Sequence, residues 1–496
     1  MKLCDRRAKI VATIGPATAS KEALEKAIRS GMNVARLNFS HGTHEDHAKV
    51  IHWIRELTVS MNAPVSLLQD LQGPKVRVGR FKEGSITLIP GEKVEMTVEK
   101  IQGEAKLIPS DFPELIESVQ VGSRILLDDG LIELLVTRKL SQSRLEVEVI
   151  YGGLLKDRKG MNLPGAKLPV ECMTDKDLAD LKFGLAQSVD YVALSFVRKG
   201  KDIRQLREMI DAANSSAKII AKIEMLEALE NLEEIARLSD AVMVARGDLA
   251  VEVGQSRLPG FQKKIITLCN RLGKPVITAT QMLDSMVENP RPTRAEITDV
   301  ANAVLDGSDA LMLSAESASG AYPFKCIQTM HEIIVEVERN EEKYYKLSLD
   351  DEFLSVPAAI GASASLSALK LKATAIVCLT TTGKTANIIA AFRPRAKILA
   401  VTDRIDVLNK LELSWGIQTL TIQPYKTMED ILVQVDRLLV EYGLARTGDR
   451  IIVTLGQPIE ANGKTNSMFV HTVGADQFSR LEDKDLPLRC RRNPMA

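Results

Sequence analysis

Eight short apolar runs, each separated from the next by helical spacing, restrict this chain more than any other feature. They are KIVATIG (9 to 15), NVARLNF (33 to 39), VSLLQD (65 to 70), YVALSF (191 to 196), KIIAKIE (218 to 224), DAVMVARGD (240 to 248), PVITATQ (275 to 281) and ALMLSAE (310 to 316). Their length and β-branched content fit strands buried on both faces. Intervening segments such as KEALEKAIRSG and RAEITDVANAVLDG have amphipathic helical spacing and end in glycine, a common helix stop. Eight parallel strands alternating with helices imply an α/β chain built on a (β/α)8 TIM barrel. Such barrels carry their active sites at the C-terminal strand ends.

Charge collects at those ends. Strand two ends in Arg36, Asn38 and Ser40, strand three in Asp70, strand five in Lys222 and Glu224, strand six in Arg246 and Asp248, strand seven in Thr280, and strand eight in Ser314 and Glu316. The stretch from Lys218 to Glu252 is the richest. Between its two strands Leu226, Leu229, Leu232, Ile235 and Leu238 recur at helical spacing, so Glu224 and Asp248 are expected at equivalent strand ends. Lys222 and Glu224, two apart on a strand, project to one face. A lysine and two carboxylates converging beside Gly247 suit a hard divalent cation and a phosphorylated substrate, since Mg²⁺ takes one or two protein carboxylates and completes its shell with water and phosphate. For any single pair, solvated strand ends are the simpler explanation. A ring of functional groups at nearly every end is not explained that way.

Two other regions interrupt or follow this pattern. Between Pro74 and Pro169 the chain alternates with period two, in SITLIPGEKVEMTVEK and SRLEVEVIYGG, and Asp129-Gly130 marks a hairpin turn between RILLDD and LIELLVT. Residues 74–169 therefore read as an all-β domain inserted after strand three on the active-site face, leaving 1–73 and 170–341 to the barrel. Such an insert is a candidate lid. Its Lys75, Arg77, Arg158 and Lys159 would reach phosphates on closure, although a solvated surface suits each cation equally well. After the polar connection NEEKYYKLSLDDEF, residues 342–496 read as a second α/β domain with strands TAIVCL, KILAVT, IQTLTI and RIIVTL. The first runs into Thr380, Thr381, Thr382, Gly383, Lys384 and Thr385 and then a helix. That composition at a helix N-terminus favours an anion, with an ordinary N-cap as an equal alternative. Cys378 stands where a Walker loop needs its first glycine. The basic tail LPLRCRRNPMA suggests no chemistry.

Composition excludes several classes. Lysine plus arginine and aspartate plus glutamate both number 65, which argues against a nucleic-acid binder. No apolar run approaches the roughly 20 residues of a membrane span, and the N-terminus lacks a signal-peptide core. Six scattered cysteines without a CxxC pair favour reduced thiols, and a cytoplasmic protein is the expectation.

With GMNVARLNFSHG, KIE, MVARGD, ATQML, NPRPTRAE, DVANAVLDG and RKGMNLPG in view, the chain closely resembles the pyruvate kinase family from near residue 8 to about 475. The resemblance implies transfer of the phosphoryl group of phosphoenolpyruvate to ADP, giving pyruvate and ATP, the last step of glycolysis. It also implies a barrel with an inserted lid and a C-terminal regulatory domain. By the same resemblance Glu224 and Asp248 hold Mg²⁺ or Mn²⁺, and the Gly247 and Asp248 amides with the Thr280 hydroxyl hold the substrate carboxylate. Arg36 and Lys222 contact the phosphoryl group, and Thr280 with nearby water is associated with protonation of enolpyruvate. Asn38, Arg77 and Lys159 match nucleotide-side positions, while Pro16 and His41 resemble residues flanking the adenine. Thr380 to Thr385 match an effector phosphate loop, which implies a phosphorylated allosteric effector, and NPRPTRAE, with a capping box from Thr293 to Glu296, implies a homotetramer.

Some positions depart from the family. Many members bind K⁺ through groups matching Asn38, Ser40, Asp70 and the Leu71 carbonyl, with glutamate where this chain has Lys75. An ammonium there supplies the missing charge, so K⁺ is expected to be dispensable even if bound. Asp46 replaces an adenine-contacting tyrosine of animal relatives, Ala250 and LSAES replace the commoner glycine and LSGET, and QPIEANGKTN (457 to 466) differs from fructose bisphosphate-binding forms. Two rival functions remain at this point: a Mg²⁺-dependent enolate-forming lyase or aldolase without a nucleotide, and a metabolite sensor whose C-terminal loop alone works.

Overall fold

A computed structural model describes residues 6–166, 171–339, 355–425, 427–457 and 465–474. All eight runs form strands: β1 (Lys9–Ile14), β2 (Val34–Asn38), β3 (Ser66–Asp70), β4 (Tyr191–Leu194), β5 (Lys218–Ile223), β6 (Ala241–Ala245), β7 (Val276–Ala279) and β8 (Ala310–Leu313). They close a parallel barrel in which sequence neighbours pair and β8 returns to β1. Glycine-ended helices flank it as expected. Lys21–Ser30 and Arg294–Asp306 both stop at a left-handed glycine, and the Thr293 to Glu296 capping box is formed.

Two expectations are corrected in the Lys218 to Glu252 unit. The register sets Lys222 opposite Met243 and Ile223 opposite Val244, so Glu224 is level with Ala245, where β6 ends. Arg246, Gly247 and Asp248 open a helix, Arg246–Val253, and Asp248 lies in its first turn rather than at a strand end. The leucine-rich stretch is two helices, Leu226–Glu230 and Leu232–Leu238, broken at Asn231, whose side chain donates to the Arg198 and Glu227 carbonyls.

The insert folds as a two-stranded and a six-stranded sheet around its own apolar core, with one short helix at Leu115–Ser118. Asp128, Asp129 and Gly130 all take positive φ in the turn between Arg124–Leu127 and Ile132–Lys139. At its entry Gly73 has φ +71°, and a Cβ there would meet the Phe196 ring at 2.7 Å, so the hinge tolerates only glycine. Beyond the barrel the four anticipated strands form a parallel sheet. A fifth, Ser467–Thr472, adds antiparallel to Arg450–Leu455. The polar connection and the basic tail fall outside the described residues, as do Cys4 and Cys490; the other four cysteines are free and buried.

The C-terminal region also closes the bottom of the barrel. Leu413 is fully buried among inward-facing strand residues that include Val11, Leu68, Tyr191 and Ile220. Around it the Tyr191 hydroxyl donates to the Lys410 carbonyl at 2.7 Å, and Lys9 Nζ reaches Glu412 at 3.3 Å and the Ile417 carbonyl at 2.8 Å. Trp415 packs between the guanidinium groups of Arg7 and Arg393, 5.2 and 4.7 Å from its ring. Leu413→Ala should lower the free energy of unfolding by about 2–5 kcal/mol, the range for a buried leucine cut to alanine, seen as an earlier urea transition.

Candidate active site

At the opposite, C-terminal mouth the barrel strands bring four charged side chains together. Arg36 lies near the end of β2, Asp70 ends β3, and Lys222 and Glu224 stand at the end of β5. Asp70 is shared: Arg36 Nε donates to Oδ2 at 2.7 Å while Lys222 Nζ lies 3.3 Å from Oδ1. Lys222 also reaches Glu224 Oε1 at 2.9 Å and donates to Ser195 Oγ at 2.7 Å. Ser195 in turn donates to the Leu71 carbonyl at 2.7 Å, and Arg36 Nη1 donates to Thr13 Oγ1 at 2.8 Å.

These contacts fix the protonation states. Burial alone would drive the Lys222 ammonium toward neutrality, but Asp70 and Glu224 outweigh it and raise its pKa above the ordinary lysine value. Lys222 is therefore a fixed positive charge, not an acid or base. Burial likewise opposes the Asp70 carboxylate, and the charges of Lys222 and Arg36 outweigh it to hold its pKa below normal. Glu224 is raised, first by burial and further by the Asp248 charge, against the pull of Lys222. Two carboxylates repelling one another beside a single ammonium call for another cation. Among the described residues no group of three or more histidine, cysteine or acidic side chains surrounds a metal position.

The far wall is strained. Thr280 and Gln281, immediately after β7, have φ of 70° and 52°, a left-handed conformation costly for a β-branched residue. Arg246 holds them there. Its guanidinium donates to the Ala279 carbonyl at 3.2 Å, the Thr280 carbonyl at 2.6 Å and the Gln281 carbonyl at 3.3 Å, and pairs with both oxygens of Asp299 at 2.9 and 2.7 Å. The Thr280 hydroxyl donates to the Ala279 carbonyl at 2.7 Å and accepts from the Gly247 amide at 2.9 Å. A cleft under the lid is lined by Lys75, Asn162, Phe196, Arg198, Asp248 and Glu252.

Comparison with known proteins agrees with this geometry. Residues 5–327 match the family model "Pyruvate kinase, barrel domain" and residues 358–471 match "Pyruvate kinase, alpha/beta domain". A pyruvate kinase of Staphylococcus aureus is 44% identical over 474 residues, covering 95% of this chain and 81% of that protein. One from Geobacillus stearothermophilus is 44% identical over 472 residues, covering 94% and 80%. A crystal structure of a pyruvate kinase from Cryptosporidium parvum superposes with TM-score 0.90 at 37% identity, covering 95% of this chain and 97% of that one. The chain belongs to the pyruvate kinase family. It is a phosphotransferase, and the reaction of a pyruvate kinase moves the phosphoryl group of phosphoenolpyruvate to ADP; the family assignment does not favour the lyase alternative.

Of the residues expected at a pyruvate kinase site, Arg36, Asp70, Lys222, Glu224, Gly247 and Thr280 stand in the contacts just described, and Asp248 acts on Glu224 through its charge. Asn38 ends β2 opposite Asp70 and Ser40 follows it in the turn, with the Ser40 amide donating to Asn38 Oδ1 at 3.1 Å; His41 is exposed. On the lid, Lys159 pairs with Asp128 at 2.8 Å, Arg77 donates to the Arg158 carbonyl at 2.9 Å, and Lys75 lies along Gly160. In the C-terminal region Thr380 Oγ1 accepts from the Gly383 amide at 2.9 Å, and Thr385 bonds Thr465. Most of the QPIEANGKTN loop falls outside the described residues.

Three members of the predicted ring serve the scaffold instead. Arg246 grips the Thr280 loop as described. Glu316 is buried and accepts from the Leu283 and Ser314 amides at 3.2 and 2.6 Å, leaving Ser314 to begin the helix Ala315–Ala318. Thr13, Ser195 and Glu252 were not anticipated. Thr13 and Ser195 sit at the ends of β1 and β4, inside the runs KIVATIG and YVALSF, the two that contribute nothing to the ring read from the sequence. Glu252, whose carboxyl burial pushes up to about 7, is one helical turn beyond Asp248, visible only once that segment is known to be a helix. Arg246→Met should reduce kcat/KM for phosphoenolpyruvate and cost on the order of 2 kcal/mol of stability, less than the loss at a fully buried pair because Asp299 is partly exposed; paired kinetics and thermal unfolding check both.

Proposed function

We propose that Lys222 and Arg36 are the fixed charges that carry phosphoryl transfer in this pyruvate kinase. The observation that carries the assignment is the buried Arg36, Asp70, Lys222, Glu224 cluster at the barrel mouth. Arg36 and Lys222 hold the phosphoryl oxygens while the bond to the enol oxygen breaks and the bond to the ADP β-phosphate forms. Charge spreads over those oxygens and the enolate in the transition state, and both cations are held in place before it forms. The Gly247 and Asp248 amides, at the first turn of the helix Arg246–Val253, and the Thr280 hydroxyl orient the substrate carboxylate. The Gly247 amide donates to the Thr280 hydroxyl, which brings the two groups to one point of the wall. Enolpyruvate then takes a proton at carbon on the side of the site where Thr280 stands.

Glu224 and Asp248 hold Mg²⁺ or Mn²⁺, which when bound neutralises the phosphoryl and enolate oxygens. Asn38, His41, Arg77 and Lys159 form the nucleotide side, closed by the lid 74–169 over the barrel 1–73 and 170–341. The residues also fit K⁺. Asn38, Ser40, Asp70 and the Leu71 carbonyl offer oxygens, with Asp70 Oδ1 buried 3.3 Å from Lys222 Nζ. Lys75 makes that ion dispensable. The domain 342–496 binds a phosphorylated effector at Thr380, Thr381, Thr382, Gly383, Lys384 and Thr385; support comes from the left-handed Gly383 that opens the helix Lys384–Ala391. A homotetramer is supported by exposed Ile297 and Leu305 on the helix Arg294–Asp306.

Lys222→Met should lower kcat on the order of 10²- to 10³-fold, as expected for removing a preorganised charge partner, with the fold kept as judged by circular dichroism. In a pyruvate-release assay at matched ionic strength, turnover with Mg²⁺ but without KCl is expected; strict dependence on KCl would remove the role assigned to Lys75.

A further inference from the structure

Four of the six histidines fall within twelve residues, His41, His44, His47 and His52, and one of them is built into the turn that follows β2. That turn, Phe39–Gly42, carries Ser40 and His41 and follows Asn38. Nothing in the barrel ladder fixes its shape beyond the Phe39 amide, which donates to the Asp70 carbonyl at 3.0 Å. Inside the turn the Ser40 amide donates to Asn38 Oδ1 and the His41 amide to the Asn38 carbonyl, both at 3.1 Å, and two side chains from other elements anchor it from outside. Lys176 Nζ donates to the Phe39 carbonyl at 2.6 Å and is itself held at 2.5 Å by buried Asp180. His47, in the first turns of the helix His44–Ser60, bonds the His41 carbonyl through Nε2 at 2.9 Å.

The His47 ring does two more things at once. It stacks on buried Phe39 with centroids 4.1 Å apart and an interplanar angle of 16°. Its Nε2 also lies 3.4 Å from where a Cβ on Gly42 would stand, and Gly42 has φ +78°. One imidazole therefore packs under the start of the turn, bonds its middle and fills the space beneath its left-handed end. A carbonyl can only accept, so Nε2 carries the proton. Burial lowers the pKa of this imidazole, which leaves the neutral ring with that one N–H already committed. The helix that presents it is fixed in turn by the Thr43 to Asp46 capping box, so the ring approaches the turn from a rigid support.

We propose that His47 is a positioning residue for the nucleotide: its ring sets the place of the Phe39–Gly42 turn and of His41 within it, and with them the affinity for a nucleoside diphosphate, without touching it. The inference rests on the assignment of Asn38 and His41 to the nucleotide side. The buried Lys222 cluster is held by contacts of its own at the strand ends, so the effect is confined to one substrate.

Steady-state kinetics with ADP and phosphoenolpyruvate varied in turn tests this on His47→Phe, His47→Gln and His41→Ala. Phenylalanine keeps the stack on Phe39 and removes the N–H, whereas glutamine keeps an N–H donor and removes the ring. His47→Phe is expected to raise KM for ADP about five- to tenfold, which is about 1.0–1.4 kcal/mol, with kcat and KM for phosphoenolpyruvate within about twofold and an unchanged melting temperature. His47→Gln is expected to recover part of that loss, and His41→Ala to raise KM for ADP as well. If His41→Ala weakens ADP and His47→Phe does not, the nucleotide assignment stands and the role of His47 is wrong. If neither variant affects ADP, the turn is not on the nucleotide side and both fall. Equal loss for both substrates, or a lowered melting temperature, would make His47 a general structural residue and overturn the proposal.

Discussion

The site depends on one buried carboxylate. Asp70 is 1% exposed and sits between Arg36 and Lys222. Two cations at that depth would repel each other and lose their hydration, a cost that only a shared, well-placed anion offsets. Glu224 supplies the fourth charge, so the four side chains sum to zero: two positive, two negative. Asp248 at its helix turn tips the balance to one negative, and a divalent cation tips it to one positive. The balance of the four buried charges offsets the cost of burying each, and the proposed divalent cation would make the site attractive to a substrate bearing both a phosphate and a carboxylate. The same Asp70 fixes Arg36 and Lys222 before any substrate arrives, so their charge is ready where it is needed.

The barrel separates that chemistry from what holds the molecule together. Its C-terminal mouth is lined by ions, hydroxyls and strained turns, while its N-terminal mouth is sealed by Leu413, Glu412 and Trp415 from the C-terminal region. Gly383, in the loop assigned to an effector, lies against Leu411 so closely that a Cβ there would stand 2.9 Å from its side chain. Gly383, Leu411 and the Leu413 seal are thus consecutive in space, which ties the geometry of that loop to the base of the barrel by packing alone.

Much of this was legible before any coordinates. Eight strands could be read because each is a short, mostly apolar run, the pattern of a sheet covered on both faces. Lys222 and Glu224 could be placed on one face because strand periodicity is two. What failed has a common cause. Arg246, Gly247 and Asp248 look like the tail of a strand, and nothing in three polar residues announces that a helix has begun, so Asp248 was assigned to the wrong element though to the right end of the barrel. Arg246 and Glu316 were expected to face substrate because they are charged, yet each spends its hydrogen bonds on backbone groups of neighbouring loops, a choice that depends on where those loops fold. Ser195 and Thr13 sit within the apolar runs of the fourth and first strands, and their importance comes from Lys222 and Arg36 on other strands, a contact that sequence spacing does not reveal.

Left-handed backbone gathers at the same mouth. Phe196, Thr280 and Gln281 all take positive φ without being glycine, and each turns a backbone or side-chain group toward the site. The Phe196 amide donates to Glu224 at 2.8 Å, and Thr280 presents its hydroxyl to the Gly247 amide. Each such residue costs on the order of 1–3 kcal/mol and persists only where its surroundings over-determine it. For Thr280 and Gln281 the surroundings are the five hydrogen bonds of Arg246 to three carbonyls and Asp299. Glycine at 280 would relieve the strain and remove the hydroxyl with it. Retaining threonine in that conformation means the hydroxyl's position matters more than the backbone's comfort, and Arg246 is the group that makes the arrangement stable.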